Sequence, residues 1–143
     1  MRLTINDNRF KVKVLTSPKE IKRGMMNRTF DETFNGMLFV MNSQKQCFWM
    51  KNCIIPLDII FISDDKITKI HHNCKPPKSE DYKNYCGYGN YIFEVEGGTC
   101  KNLGITEGDK VSFPNNFQKE TESSKKLKNF IRSIVKEEFK NIY

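Results

Sequence analysis

The sequence predicts a mainly β fold of the α+β class: a small barrel or strongly curved antiparallel sheet with one short helix, followed by a C-terminal amphipathic helix. Three observations predict it. Short runs of alternating apolar and polar residues, closed by Asn, Asp, Gly or Pro, recur along residues 2–113. A capping signal with Pro at the first helical position, Ser17-Pro-Lys-Glu20, marks a helix within that stretch. Beyond Pro114-Asn-Asn116 the period changes, and Leu127, Phe130, Ile131, Ile134, Val135, Phe139 and Ile142 fall on one helical stripe. The expected layout is a β-rich domain over 1–113, a polar linker over 114–121 and the helix over 122–143.

Residues 2–15 read as a hairpin. Leu3 and Ile5 lead into the turn cluster Asn6-Asp-Asn8, and Phe10, Val12 and Val14 then alternate with Arg9, Lys11 and Lys13. A helix of about ten residues follows Ser17, with Pro18 at its first position and Ile21 and Met25 on its buried side. Met37–Met41 is a continuous apolar run and reads as a strand buried on both faces. Cys47–Lys51 reads as a separate strand, with Trp49 and Lys51 on one face. Leu57–Ile62 is a third strand, turned back by Asp64-Asp65 into Lys66–His72. Residues 73–90 read as an irregular loop with Tyr82, Tyr85 and Tyr88 among glycines. Alternation resumes at Tyr91–Glu96, and Lys110–Phe113 closes the domain.

The charge is +7, divided as 17 basic against 13 acidic residues before Pro114 and 7 against 4 after it. A basic tail suits nucleic acid, an acidic protein surface or anionic lipid, but is also the ordinary solvated face of a Lys-rich helix. Lys outnumbers Arg 19 to 5, which argues against direct base readout. Asn and Ile number 14 each, the bias of an AT-rich genome, cellular or viral. No apolar run follows the N-terminus and none reaches membrane-spanning length, so neither a secretory signal nor a membrane span is expected. Five cysteines without C-x-x-C spacing suggest free thiols in a cytoplasmic or otherwise reducing compartment.

The strings Arg23-Gly-Met-Met26, Gly36-Met-Leu-Phe39, Phe48-Trp-Met-Lys-Asn52 and Pro56-Leu-Asp58, continued by Tyr91-Ile-Phe-Glu-Val95, Gly98 and Gly104-Ile-x-x-Gly-Asp109, resemble domain-of-unknown-function family 192 over roughly residues 10–113. The resemblance implies a compact β-rich domain and supplies no activity. Many members look exported. Cys53 stands where the family usually has Thr, and the C-terminal helix lies outside the shared domain.

The sharpest candidate site is Trp49, Lys51, Asn52 and Asp58, with Glu94 as a further acceptor. On the face of a cavity, Trp49 would be a stacking wall, Lys51 a cation, and Asp58 and Glu94 acceptors for a sugar or small anion. The alternative is a structural Lys51–Asp58 pair with Trp49 in the core. Tyr82, Tyr85 and Tyr88 are candidates for a recognition loop. His71, His72 and Cys74 are weak metal candidates, because no second ligand pair has recognisable spacing. No cofactor is expected: there is no phosphate-binding glycine loop, and two histidines leave little for acid–base chemistry.

Three functions compete. The first is a non-enzymatic binding or accessory subunit of a larger assembly, for which a viral particle is one candidate. It would dock on a protein partner or a second copy through Leu127, Phe130, Ile131, Ile134, Val135 and Phe139. The second is an enzyme or small-ligand binder built on Trp49, Lys51 and Asp58. The third, and least favoured, is nucleic-acid binding through the basic tail.

Overall fold

The computed structural model describes residues 1–123, 126–127 and 130–131, in two units, Met1–Phe113 and Pro114–Tyr143. The first unit is a curled seven-stranded sheet. Its elements are β1 (Arg2–Ile5), β2 (Asn8–Leu15), α1 (Pro18–Arg23), β3 (Gly36–Phe48), β4 (Leu57–Ser63), β5 (Lys66–Cys74), β6 (Tyr85–Glu96), α2 (Thr99–Leu103) and β7 (Val111–Ser112). The spatial order is β5-β4-β6-β3-β2-β1-β7. Every pairing is antiparallel except β2 with β3, whose connection carries α1. The edges of the sheet meet at a Lys66–Lys110 bridge, where Val111 N–H donates to the Asp65 carbonyl at 2.7 Å. That closure produces the half-barrel.

The first hairpin turns at Asn6 and Asp7, both at positive φ (49° and 64°), as a two-residue loop between twisted strands requires. Ser17 caps α1: its Oγ accepts from Glu20 N–H at 3.2 Å and also donates to the Glu20 carboxylate at 2.9 Å. The helix stops after six residues because Gly24 leaves helical space at φ 46°, where an added Cβ would press on the Phe39 ring. It is shorter than the capping signal alone suggests. Met25 is buried just beyond it, and Ile21 is half-buried.

Two strand assignments need correction. Met37–Met41 and Cys47–Lys51 are not separate strands. One 13-residue strand, β3, runs through Asn42-Ser43 by a bulge in which residues 41–43 face Asn90 alone on β6. It ends at Phe48, so Trp49 and Lys51 lie beyond the sheet. The irregular loop over 73–90 is also shorter than expected. β5 continues to Cys74 and β6 begins at Tyr85, which places Tyr85 and Tyr88 in a strand and leaves Tyr82 in the loop. The helix α2, unforeseen in the alternating pattern, follows the Gly97-Gly98 turn.

Strands β3, β4 and β6 pack on both faces. One face carries Met37, Phe39, Leu57, Ile59, Phe61 and Ile92, joined by Leu15, Met25, Met50 and Cys74. The register places Leu38, Ile60 and Phe93 on the other face, where the Phe93 ring meets Phe10 edge-on at 5.3 Å. Gly36 permits this, because an added Cβ would enter the Phe93 ring.

The expectation of free thiols is corrected at one pair. Cys47 and Cys86 stand opposite each other on β3 and β6, their Cα atoms 4.1 Å apart, and form a disulfide. Spacing could not reveal it, since the two cysteines stand 39 positions apart and are brought together by sheet register. Cys53, Cys74 and Cys100 are free. Thiol titration of the unfolded chain is therefore expected to count three groups without reductant and five after reduction. Reduction is expected to lower stability by about 2–4 kcal/mol in chemical denaturation. Five thiols without reductant would count against the bridge.

In the second unit, described residues from Phe117 onward are helical, so the helix begins inside the stretch expected as linker. Glu120 N–H donates to the Asn116 carbonyl at 2.9 Å. Of the docking stripe, Leu127, Phe130 and Ile131 are described; Ile134, Val135 and Phe139 lie outside the described residues.

Candidate functional site

Two turns meet over the apolar layer that carries Met37 and Phe39. One follows α1, from Gly24 to Arg28. The other follows β3, where Cys53 N–H donates to the Met50 carbonyl at 3.0 Å and Asn52 takes φ 59°. They are tied by a Met26–Cys53 bridge and by Asn27 N–H donating to the Asn52 carbonyl at 2.8 Å. Between them and the sheet lies a cavity of 240 Å³, smaller than the ~300–1,000 Å³ of drug-sized sites. Its apolar walls come from Ile21, Met25 and Met26 on one side, Phe39, Met41 and Phe48 on the sheet, and Trp49 and Cys53 on the other side.

Glu94 belongs to this cavity. On β6 it pairs with Met37 and Ile59, so the register turns it into the apolar layer. It is 4% exposed and makes no hydrogen bond or ion pair with a described residue, yet among the described residues no fully buried side-chain oxygen lacks a partner, so its carboxyl oxygens keep a little contact with the cavity space. Burial pushes its pKa up to about 8, with no other cause. The Cys53 thiol, half-buried beside it, is raised to about 12 by burial and by the Glu94 charge.

The cavity opens into an outer hollow of 420 Å³ lined by Lys22, Arg23, Met26, Asn27, Trp49, Lys51 and Asn52. Lys22, Arg23 and Lys51 line both spaces and so stand at the mouth. No acidic side chain lines the outer hollow. Trp49, 44% exposed, is edge-on to Tyr82 at 5.4 Å, and the Lys51 ammonium lies 5.2 Å from the Trp49 ring centre and 5.7 Å from that of Tyr82. Lys51 is thus held by rings rather than by a carboxylate.

Asp58 does not join them. It precedes Ile59, which pairs with Glu94, so it points to the opposite face. Fully buried, its Oδ1 accepts from Asn73 N–H at 2.7 Å and Gly98 N–H at 3.1 Å, and its Oδ2 from Cys100 N–H at 2.9 Å. Helix α2 has no side-chain cap of its own, and Asp58 supplies one from across the sheet. The expected Lys51–Asp58 pair, catalytic or structural, is therefore replaced by two unrelated arrangements.

The remaining candidates disperse. His71 Nε2 is 2.8 Å from the Cys86 carbonyl, and its ring lies between Phe61 and Tyr85. Cys74 is buried, its thiol on the His71 carbonyl, while His72 is exposed. No cluster of three metal-ligating side chains occurs among the described residues. Tyr85 covers the apolar layer, and the Tyr88 hydroxyl is 3.2 Å from that of Ser43, so the tyrosines form no common loop surface. Sequence reading missed Met26, Lys22 and Arg23 as lining residues. The string Arg23-Gly-Met-Met26 was visible, but nothing in it shows that it faces Trp49.

A family model matches residues 1–113, that of the uncharacterized ACR proteins designated DUF192. The chain belongs to the DUF192 family. Two crystal structures are similar to it. A protein of unknown function from Novosphingobium aromaticivorans DSM 12444 shares 33% identity at a TM-score of 0.67, over 78% of this chain and 84% of that one. A "putative transcription regulator" from Sinorhizobium meliloti 1021 shares 31% identity at a TM-score of 0.65, over 78% of this chain and 89% of that one. No curated protein matches. Among the described residues no helix is long and apolar enough to cross a membrane.

Proposed function

We propose that this DUF192 domain is a binding module whose small-molecule ligand occupies the cavity beneath Trp49. The observation that carries this reading is Glu94. A carboxyl set in an apolar layer, with the cavity as its outlet, depends on what fills that cavity for its hydrogen bonds. A cavity beside it, with a mouth furnished by Trp49 and three cations, supplies room for that partner. Trp49 is the sole tryptophan, which makes intrinsic fluorescence a direct reporter of occupancy. Screening a fragment library against the full chain is expected to yield compounds that shift Trp49 emission saturably, with Kd at or below about 1 mM, a binding free energy of about −4 kcal/mol. A diverse library without one saturable response would remove the reading.

A second reading concerns the terminal helix. Leu127, Phe130 and Ile131 are 60%, 63% and 51% exposed, an apolar stripe that suits docking on a protein partner or a second copy in a larger assembly. Under that reading the helix attaches the module and the β domain carries the ligand. The paired change Leu127→Asp and Phe130→Asp is expected to abolish association in sedimentation while leaving Trp49 emission unchanged. Unaltered association would exclude the stripe as the docking element.

A further inference from the structure

We infer that the ligand of this cavity is a small amphipathic anion, its charged group in the outer hollow among Lys22, Arg23 and Lys51, its apolar body inside, and an uncharged polar atom at its far end against the Glu94 carboxyl. The inference rests on the binding reading above and specifies its chemistry.

The two connected spaces differ in character. The outer one carries three cations, with Asn27 and Asn52 and no acid. The inner one is walled largely by thioethers and aromatic rings, with Gln46 and Glu94 as its buried polar side chains and Glu94 as its acid. A cationic ligand would have to pass three like charges to reach Glu94. It would also find the Trp49 and Tyr82 faces already occupied by the Lys51 ammonium. An anion is attracted to the mouth and stays there, because desolvating it inside would cost far more.

The far end of the ligand must then suit Glu94 as it exists at neutral pH. Burial keeps that carboxyl mainly protonated up to about pH 8, so it is a hydrogen-bond donor. Its complement is a carbonyl, ether or hydroxyl oxygen. The titratable groups facing it are few. Lys22 and Arg23 on α1 and Lys51 after β3 stand at the mouth. Cys53, and Cys74 at the end of β5, have thiol pKa values raised to about 12 and stay protonated. Tyr85 on β6 is raised by burial. Asp58 on β4 is committed to the opposite face. Across pH 7 to 9, Glu94 is therefore the group expected to titrate.

Calorimetric titration of the full chain with 4-acetylbenzoate tests this. It has an anionic head, a flat apolar body and a ketone acceptor. Controls are 4-ethylbenzoate, without the acceptor, and 4-acetylbenzylamine, with the opposite charge. The acetyl acid is expected to bind, the ethyl acid about tenfold more weakly for the lost hydrogen bond, and the amine not measurably. Affinity for 4-acetylbenzoate is expected to fall about tenfold from pH 7 to pH 9, as the protonated fraction of a group titrating near 8 falls by that factor. Glu94→Gln keeps a donor and is expected to bind with little pH dependence. Lys51→Ala with Arg23→Ala is expected to weaken the acids at every pH. Tighter binding of the amine than the acid overturns the ligand class and leaves the binding reading standing, as does failure of the acid when fragments of other chemistry shift Trp49. Equal affinity for the acetyl and ethyl acids overturns the role of Glu94. Absence of binding by these probes and by a whole fragment library overturns both.

Discussion

Replacing Asp58 with alanine is expected to destabilise the chain by about 3–5 kcal/mol, a large share of the ~5–15 kcal/mol that holds a domain of this size. The change removes a buried carboxylate and strips the backbone N–H groups of Asn73, Gly98 and Cys100 of their acceptor, the last of them fully buried. It also uncaps α2, for which Gly98 offers no side chain. Asp58→Asn is expected to cost less, because its amide oxygen can still accept from Asn73 and Gly98, while its NH2 faces the Cys100 N–H. Urea denaturation of both variants measures the difference. A loss below about 1 kcal/mol for Asp58→Ala would return Asp58 to the list of functional candidates. Neither variant, where folded, is expected to alter binding in the cavity, since the two carboxyls face opposite ways.

Glu94→Gln is expected to do the reverse, raising stability at neutral and alkaline pH. The folded carboxyl titrates near 8 and its ordinary value is 4.5, so the native state holds its proton more tightly than the unfolded chain does. Below about 4.5 both states are protonated and the difference vanishes. As pH rises through the window to 8, the unfolded chain releases its proton first, and stability falls by up to about 1.4 kcal/mol per pH unit. Above 8 the loss levels off, at a total on the order of 3–5 kcal/mol. The Gln variant carries no such proton, and its stability is expected to be nearly flat across the window. Asp31 and Asp109, whose carboxyls are lowered by hydrogen bonds from Thr33 and from Thr106, change charge only below that range. Denaturation midpoints at pH 5, 6.5, 8 and 9 decide the matter. Parallel curves for wild type and variant would show that Glu94 is solvated after all.

The period-two pattern made the hairpin, β4 and the end of β6 legible, because each buries one or both faces of an extended chain. It misled at Asn42-Ser43, where polar residues that read as a turn sit in a bulge with the pairing intact on either side. The family strings marked the right places without their roles. Phe48-Trp-Met-Lys-Asn52 lies at the cavity, whereas Pro56-Leu-Asp58 braces α2 from the far side. A carboxylate's job depends on which N–H groups surround it, and those of Gly98 and Cys100 come from 40 and 42 positions away. Glu94 was named as an acceptor. Its isolation, and hence its protonated state, depends on Met37 and Ile59 flanking it in the sheet, a matter of register rather than of composition. The Cys47–Cys86 bridge was hidden for the same reason.

The connection from β2 to β3 forms one wall of the cavity, and the backbone is unevenly secured around it. The floor is woven into β3, β4 and β6, whose amides are shared between neighbouring strands over nearly their whole length. The wall is a six-residue helix and a turn, and its backbone is tied across to the 49–53 turn by the Met26–Cys53 bridge and the Asn27–Asn52 hydrogen bond. The free energy needed to part the wall is thus a fraction of that needed to part the floor. Under the binding reading, a guest that needs more room is expected to displace this wall rather than the floor, whose shape the sheet and its disulfide hold.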